Sequence, residues 1–504
     1  MAFWRGFAQP VRYAALVAGA VPVLAFPAPN LEFLAWFGLV PGLFLLRAAP
    51  TGREAAARGW WFGVGYLLAA LYWLTPNLGP ALLLVVIVLG APWAAVGYAS
   101  WRLLRGRPSH AAAALIVLPS TWVLIDLIRS WQGIGGPWAV YGASQWQHPI
   151  VLALGAVGGI WLITFVLVAS NTAIVVALTA AHWTGRVLGL AAAALAIAAG
   201  PVAYAATAAE YAVPPAGHLT LALVQPGLEA GPHVRLAAES RLTAGIHHAD
   251  MIVWAESSVG YDLYTHRPVL TRLVRLSAQV ATPMLVSQDA LNPARAKSKV
   301  AVLITPGGIE GTYIKTRLVP FGEYIPFRSL LGWLSSVSRA APENMISGHG
   351  AHVLHAVLPD GRGLTFGVLI CFESSFSDMS AADVRQGAQV LIYQTSDSTF
   401  QESWALEQHA SLAAIRAAES GRPAVQAALT GDSAAFDSRG RLLAWMGASR
   451  RGVLRVTLAL PLESVRTPFD RYGDYVPWLA IAVVAIGLAW AVNARGMIRR
   501  LLDR

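Results

Sequence analysis

The stretch Lys315-Thr316-Arg317-Leu318-Val319-Pro320-Phe321-Gly322-Glu323-Tyr324-Ile325-Pro326 begins where a short strand-like run ends. Two further strand-like runs lead into Glu256 and Cys371 in the same way. In layered α/β domains, side chains at the ends of strands meet in a crevice. The three junctions therefore predict a fold that brings Glu256, Lys315 and Cys371 together.

A carboxylate, an ammonium and a thiol in one crevice would serve as general base, oxyanion stabiliser and nucleophile. Cys371 is the only cysteine, which excludes an intramolecular disulfide, and on its own it would be read as an inert packing residue. Lysine is rare, at three of the 37 basic residues, and a compact ammonium suits an oxyanion better than a planar guanidinium. Because Trp254 and an apolar run precede Glu256, we expect its pKa to be raised; otherwise it is a surface carboxylate.

Strand-like and helix-like runs alternate around these junctions. The strand-like runs are 219–224, 251–254, 284–287, 300–305, 364–370, 390–393 and 452–458, and the helix-like runs include 233–247, 268–280 and 403–420. Such alternation predicts a layered α/β domain, which we place at residues 213–470.

Composition separates this domain from the rest of the chain. Of the 504 residues 56% are hydrophobic and 13% charged, and the mean hydropathy of +0.53 is too high for a soluble globular protein. Segments near the length of a bilayer crossing are 12–28, 31–47, 60–76, 79–100, 111–129, 154–181, 187–209 and 477–494. They predict a seven-helix membrane domain at 1–212, and an eighth helix with a basic tail at 471–504. The first segment resembles a signal peptide, but it lacks a clean cleavage site and is expected to be retained.

The net charge of +10 reflects loop arginines and not a nucleic-acid surface, because no basic helix or stacking-aromatic pattern is present. With the N-terminus inside, thirteen arginines fall on inner segments, and before residue 210 only Arg129 falls on an outer one. The positive-inside rule then places the α/β domain on the outer face of its membrane, which in a bacterium is the periplasmic face of the inner membrane. Asp126 and Arg129 either pair with each other or mark a functional site within the membrane.

Three motifs resemble those of the nitrilase superfamily, and more closely those of the bacterial apolipoprotein N-acyltransferase family. They are Trp254-Ala255-Glu256, the stretch 315–326 and Ile370-Cys371-Phe372-Glu373. The similarity continues in 59–63, Tyr72-Trp73, 126–129, 136–138, Gln145 and 416–423. It covers essentially the whole chain in the family's order of seven helices, domain and final helix.

The resemblance implies a nitrilase-like αββα sandwich inserted in an eight-helix transmembrane bundle, and a ping-pong reaction with a thioester at Cys371. Glu323 either shapes the turn between Pro320 and Pro326 or, as we favour, is a second carboxylate that holds Lys315. Trp254, Phe372 and Glu373 are expected to support the site. The acyl donor would be a membrane phospholipid and the acceptor the diacylglyceryl-cysteine amine of a lipoprotein. No metal or organic cofactor and no nucleic acid would take part, and the enzyme would be a monomer in the bilayer.

The sequence departs from the family pattern at Thr399, Gln426 and Leu429, which puts the acceptor in question more than the chemistry. Three alternatives therefore stand beside lipoprotein acylation. One is a membrane-tethered amidase or other hydrolase with the same three residues, and a second is an acyltransferase for another amine. The third, an eight-helix transporter with an inert domain, has the least support, because only Asp126 and Arg129 are candidate charges at mid-membrane.

Overall fold

The computed structural model describes residues 10–105, 108–208, 214–229, 231–291, 297–333, 335 and 343–502, with the backbone alone at 108–109 and 491–502. A helical part flanks a two-sheet domain. The helices of the helical part are α1 Pro10–Ala20, α2 Val40–Arg47, α3 Gly52–Leu71, α4 Thr75–Leu78, α5 Ala81–Gly90, α6 Trp93–Leu103, α7 Pro108–Arg129, α8 Pro149–Thr179, α9 Trp183–Ala206 and, after the domain, α16 Tyr475–Leu502. Short 3-10 turns are Val21–Ala25, Glu32–Trp36, Tyr72–Leu74, Gln132–Ile134 and Tyr141–Gln145.

Four helical stretches among the described residues are long and apolar enough to cross a membrane: Ala81–Leu103, His110–Arg129, Pro149–Thr179 and Trp183–Ala206. Shorter apolar helices are Pro10–Ala25 and Tyr475–Trp490. Several large apolar side chains of these helices are exposed, as expected for a lipid-facing surface: Leu83, Leu84, Val88, Leu190, Leu195, Ile197, Ile486 and Leu488.

The second predicted crossing, 31–47, is wrong as one continuous helix. The chain forms the turn Glu32–Trp36 and then starts α2 at Val40, with Pro41 at its N-terminal end. Between the two pieces, the backbone N–H of Leu39 donates to Asn171 Oδ1 at 2.8 Å. The third crossing is shifted, because Thr51 caps α3 by accepting from the Glu54 N–H, so the helix begins at Gly52 and not near residue 60.

The helical part has one arginine-rich end. Arg12 and Arg58 both pair with Glu54, and Arg105 donates to the Ala49 carbonyl at 2.7 Å. The α3 helix runs from this end to the two-sheet domain, where the Tyr72 hydroxyl accepts from the Trp404 N–H at 3.1 Å. The predicted inner loops 47–58 and 102–105 thus lie away from the domain, while Arg5, Arg107 and Arg504 lie outside the described residues.

The domain consists of two six-stranded sheets with helices on their outer faces. The strands are β1 Gly217–Gln225, β2 Met251–Trp254, β3 Met284–Leu291, β4 Lys297–Thr305, β5 Gly308–Ile314, β6 Val353–Val357, β7 Gly363–Ile370, β8 Val390–Thr395, β9 Ala424–Ala428, β10 Ser433–Phe436, β11 Leu442–Met446 and β12 Gly452–Leu460. The sheet orders are β12-β1-β2-β3-β4-β5 and β11-β10-β9-β8-β7-β6, parallel through β1-β2-β3 and β7-β8-β9 and antiparallel elsewhere. The helices are α10 Pro232–Ala244, α11 Arg267–Val280, α12 Arg328–Leu331, α13 Ser377–Arg385, α14 Ala405–Ser420 and α15 Pro468–Tyr472.

Successive side chains of a strand point to opposite faces of the sheet, so the strands contribute to two hydrophobic cores. In β1, Leu219, Leu221 and Leu223 join the large core shared with the second sheet and the membrane helices. Ala222 and Val224 instead join a second core beneath α10 and α11. The α14 helix packs against α8, so the second sheet with its helices is the half of the sandwich next to the membrane part.

Candidate active site

Cys371 begins a 3-10 turn, Cys371–Ser375, directly after β7. Its φ of +53° lies in the left-handed region, which a residue with a side chain rarely adopts. Glu373 stabilises this turn, because its Oε2 accepts from the Ile370 N–H at 2.7 Å. The strained turn presents the half-buried thiol at the strand end, as predicted.

The buried Glu373 carboxylate also joins the Cys371 turn to the end of β5. Its Oε1 accepts from the Tyr313 hydroxyl at 2.8 Å and from the N–H groups of Thr316 and Arg317 at 2.7 and 2.9 Å. Glu373 therefore fixes the chain on both sides of Lys315 relative to the thiol.

Lys315 is fully buried and bound by two carboxylates. Its Nζ lies 2.7 Å from Glu323 Oε1 and 3.3 Å from Glu256 Oε1. The other oxygen of Glu323 accepts from the Val319 N–H at 2.8 Å, so the turn within 315–326 aims Glu323 at the ammonium. Glu323, predicted to hold Lys315, and Glu256, the predicted general base, thus both contact the same ammonium group.

Glu256 follows β2 by one residue, and Ser257 after it has a φ of +56°. The second oxygen of Glu256 accepts from the Ser396 N–H at 3.2 Å, in the loop where the sequence departs from the family pattern. Because the donor is a backbone group, this contact does not depend on which side chain stands at position 396.

The charges of the cluster fix its resting protonation. Burial acts to raise the pKa of Glu256, but the ammonium groups of Lys315 and Lys299 outweigh it and hold that pKa below its ordinary value of 4.5. The prediction of a raised pKa for Glu256 is therefore wrong. Burial acts to lower the pKa of Lys315, but Glu256 and Glu323 raise it well above the ordinary value. Burial and then Glu256 raise the pKa of the Cys371 thiol, so the resting site holds a carboxylate, an ammonium and a neutral thiol.

Two groups near the site were not singled out from the sequence. Lys299 on β4 lies 2.7 Å from Asp289 Oδ1 and donates to the Ser257 hydroxyl, which fixes the turn after Glu256. The rarity of lysine, used for Lys315, could have identified it. His409 on α14 lies 2.7 Å from Asp397 Oδ1 and 3.1 Å from the Cys371 carbonyl oxygen, and no spacing in the sequence indicated this.

Among the described residues, one group of potential metal ligands occurs here, formed by Cys371, Asp397 and His409 with ligand atoms within 4.8 Å of one another. Both ring nitrogens of His409 already face oxygen acceptors. A metal would have to displace one of these hydrogen bonds, so the residues fit an internally bonded imidazole better than a metal site.

The other predicted residues are divided between the site and the core. Phe372 packs at the membrane part, where a Cβ built on Gly136 would lie 2.4 Å from its ring. The Trp254 side chain points away from the site into the second core and donates to Thr243 Oγ1 at 2.9 Å, so the structure does not bring it to the cluster.

Of the three departures, Thr399 is exposed, whereas Gln426 and Leu429 are buried. The Gln426 amide donates to the Asp432 carbonyl at 3.1 Å inside the second sheet. The departure that solvent or substrate can reach in this structure is therefore Thr399.

Tyr72 and Trp73, which lie in one of the stretches of the membrane part that resemble the family, contact the domain. The Trp73 ring lies 4.6 Å from Phe400 and 5.1 Å from Trp138, measured between centroids. An aromatic cluster from both parts of the chain thus covers the loop beside the site.

Two family models match the chain. The apolipoprotein N-acyltransferase N-terminal domain matches residues 18–173, and the carbon-nitrogen hydrolase family matches residues 220–466. These matches fall on the helical part and on the two-sheet domain.

Similar proteins cover both parts together. An apolipoprotein N-acyltransferase of Geobacter metallireducens is 27% identical over 516 residues, which span 96% of this chain and 95% of that protein. A protein of the same name from Rhizobium rhizogenes is 30% identical over 537 residues, covering 97% of this chain and 96% of its own. Another from Rhizobium meliloti is 30% identical over 517 residues, with 94% coverage of each chain. The similarity therefore extends over the whole architecture.

Proposed function

The chain belongs to the apolipoprotein N-acyltransferase family, and we propose that it acylates lipoproteins in two steps through a thioester on Cys371. It is a bacterial membrane enzyme of the N-acyltransferase class. A membrane phospholipid supplies the acyl chain, and the amine of an N-terminal diacylglyceryl-cysteine receives it. The buried Glu256–Lys315–Glu323 cluster beside the only cysteine is the observation that carries this mechanism.

In the first step the Glu256 carboxylate takes the thiol proton, and the sulfur of Cys371 attacks the ester carbonyl carbon. Lys315, with the N–H of Phe372, stabilises the oxyanion of the tetrahedral intermediate. The intermediate collapses when the lysophospholipid oxygen leaves and takes the proton from Glu256. The products are the thioester and a lysophospholipid.

In the second step the lipoprotein amine attacks the thioester carbonyl, and Glu256 accepts a proton from the attacking nitrogen. The same oxyanion donors act again. The Cys371 thiolate leaves and regains its proton from Glu256, which gives the amide and restores the resting site. Glu256 thus exchanges the protons in both steps, and Lys315 with the Phe372 N–H stabilises both oxyanions.

The junction between helices and domain supports a lipid substrate. A cavity of about 230 Å³ lies between the end of α7 and the turn after Cys371, lined in part by Leu127, Trp131, Trp161, Arg317 and Phe376. Apolar and charged side chains therefore line the same cavity, as binding of both the headgroup and the acyl chains of a lipid would require. Two lipid-anchored substrates held in one leaflet reach a high effective concentration at such a site.

We also propose the number of membrane crossings and the side of the membrane on which the domain lies. Residues 1–212 and 471–504 form an eight-crossing membrane unit in the bacterial inner membrane, and residues 213–470 lie on its periplasmic face. The arginine-rich ends of the helices, opposite the domain, support this orientation. We also propose that the enzyme acts as a monomer, for which the complete cluster within one chain is sufficient.

The transfer reaction itself is the test. Purified enzyme is incubated with phospholipid and a diacylated lipopeptide, and products are followed by mass spectrometry. We expect N-acylated lipopeptide and lysophospholipid in equal amounts. When the lipopeptide is omitted, we expect only roughly one lysophospholipid per enzyme molecule, because each Cys371 holds one acyl group. Steady release of free fatty acid at the same rate with and without lipopeptide would instead identify a hydrolase.

A further inference from the structure

His409 has oxygen acceptors at both ring nitrogens. Its Nδ1 lies 2.7 Å from Asp397 Oδ1, and its Nε2 lies 3.1 Å from the backbone carbonyl oxygen of Cys371. Carbonyl and carboxylate oxygens can only accept. The Thr395 hydroxyl, 3.3 Å from Nδ1, donates its proton to Asp397 Oδ1 at 2.6 Å, so toward the ring it can only accept as well. Both nitrogens must then donate, which only the imidazolium form can do.

The surroundings keep this charge in place. The side chain is 1% exposed, and the rings of Trp138 and Phe400 lie 5.8 and 5.6 Å from the imidazole. On the far side, a Cβ at Gly431 would lie 2.1 Å from Asp397 Oδ2, so the carboxylate is closely packed against the backbone. An ion pair enclosed in this way acts on its neighbours more strongly than one in water.

The nucleophile is the neighbour concerned. The Cys371 sulfur, an oxygen of Asp397 and a ring nitrogen of His409 lie within 4.8 Å of one another. The negative charges of Glu256 and Asp397 disfavour a thiolate at Cys371, whereas the positive charge of Lys315 favours it. Without His409, the Asp397 carboxylate would add an unbalanced negative charge beside the sulfur.

We propose that His409 is a positioning residue that, as an imidazolium, holds the Cys371 carbonyl in the left-handed turn and cancels the charge of Asp397 beside the thiolate. This inference rests on the proposed function in that Cys371 is the nucleophile. The charged groups that act on His409 are Asp397 and Glu256, and the two nearby rings are neutral.

The single cysteine makes the test direct, because alkylation of the whole protein reports on one thiol. Iodoacetamide reacts with the thiolate, so its rate against pH, followed by intact-protein mass spectrometry without substrate, measures thiolate formation. His409→Gln keeps an amide N–H for the Cys371 carbonyl but removes the positive charge. We expect alkylation near neutral pH to slow at least about tenfold, which is one unit of thiol pKa.

The double variant His409→Gln with Asp397→Asn separates charge from packing. It removes one charge of each sign and keeps amide hydrogen bonding, so we expect alkylation to return to within about threefold of the wild type. It also remains a test if the single variant does not fold. A wild-type alkylation profile in His409→Gln, or a double variant that is itself about tenfold slower, would overturn the proposal.

Acyl-adduct formation from phospholipid, measured on the same proteins, keeps the two proposals apart. If the wild type forms the adduct but the alkylation profiles fail to move, the role of His409 is wrong and the proposed function stands. If the wild type forms no adduct on Cys371, the proposed function fails whatever the alkylation shows.

Discussion

At the scale of residues, the distribution of charge around Lys315 governs the site. Glu323 binds the ammonium closely at 2.7 Å, while Glu256 lies at 3.3 Å. The longer contact leaves Glu256 the carboxylate better placed to exchange a proton. Glu323 instead orients Lys315, since its other oxygen is held by the Val319 N–H.

Replacing Glu323 tests this division of labour. Glu323→Gln keeps an oxygen for Lys315 but loses the charge that orients it, so we expect acyl-enzyme formation to slow roughly 10- to 100-fold. Single-turnover lysophospholipid release measures the rate. Glu310→Gln, at an exposed position on β5, is the matched control and should remain within about twofold of the wild type. Equal rates in the two variants would contradict an orienting role for Glu323.

We expect Lys299 to influence the pH below which the acylation rate declines. Because Lys315 and Lys299 hold the pKa of Glu256 below 4.5, the base stays ionised, and the acylation rate should decline only below that pH. Lys299→Met removes one lowering charge, so the pKa of Glu256 rises and the acid limb moves to higher pH. Lys297→Met, at an exposed position on the same strand, should leave the limb in place. An unshifted limb in Lys299→Met would show that Lys299 does not act on the base.

The sequence predicted that the three proposed catalytic residues follow strands, and the structure places them after β2, β5 and β7, but the sequence misjudged their surroundings. Trp254 suggested an apolar environment for Glu256, yet its side chain points to the opposite face of β2. Lys299 and His409 reach the site through a neighbouring strand and a helix. Such contacts between distant segments carry no local signal.

At the scale of elements, a break in α8 connects the membrane part to the domain. Gly158 and Gly159 leave the helical conformation, and Gly159 has a φ of +69°. The freed N–H of Ile160 donates to Glu419 Oε1 at 2.7 Å, and Glu419 also pairs with Arg416 on α14. The break thus provides a hydrogen bond between α8 and the domain.

This contact predicts an order of stabilities. Glu419→Gln retains an oxygen for the Ile160 N–H, whereas Glu419→Ala leaves that buried donor unpaired at a cost of about 1–3 kcal/mol. We expect the apparent melting temperature in detergent to fall from wild type to Gln variant to Ala variant. Glu402→Ala, at an exposed site just before α14, should melt like the wild type. An Ala variant as stable as the Gln variant would rule out the proposed acceptor role.

The elements themselves were predicted unevenly. β2 was placed at its observed bounds, and six other predicted strands lie within the observed ones. β6, β9, β10 and β11 were missed, since they are short and several contain alanine. Of β5, only the short run that ends at Lys315 was predicted. The broken second crossing escaped prediction because apolar composition does not show where a chain leaves the helix.

At the scale of the whole molecule, the order of helical part, two-sheet domain and final helix followed from composition and was predicted. Composition did not determine the number of membrane crossings, because α1 and α2 are short and α3 begins with charged residues. Packing against the domain and neighbouring helices gives such segments a structure that hydropathy does not register.

Orientation is tested by labelling single cysteines in a Cys371→Ala background. A membrane-impermeant maleimide should label His247→Cys, exposed on the two-sheet domain, from the periplasmic side of the membrane. Arg53→Cys, exposed at the arginine-rich end, should label only after the membrane is permeabilised. The opposite pattern would reverse the proposed topology.

The covalent intermediate is the most direct test of the account. Wild-type protein incubated with phospholipid and no acceptor should gain a single acyl group by intact-protein mass spectrometry. Hydroxylamine should remove it, as expected of a thioester, and Cys371→Ala should form no adduct while still folding, because the thiol is only half-buried. An adduct that persists in Cys371→Ala, or lysophospholipid release by the wild type with no acyl group on Cys371, would contradict the central claim.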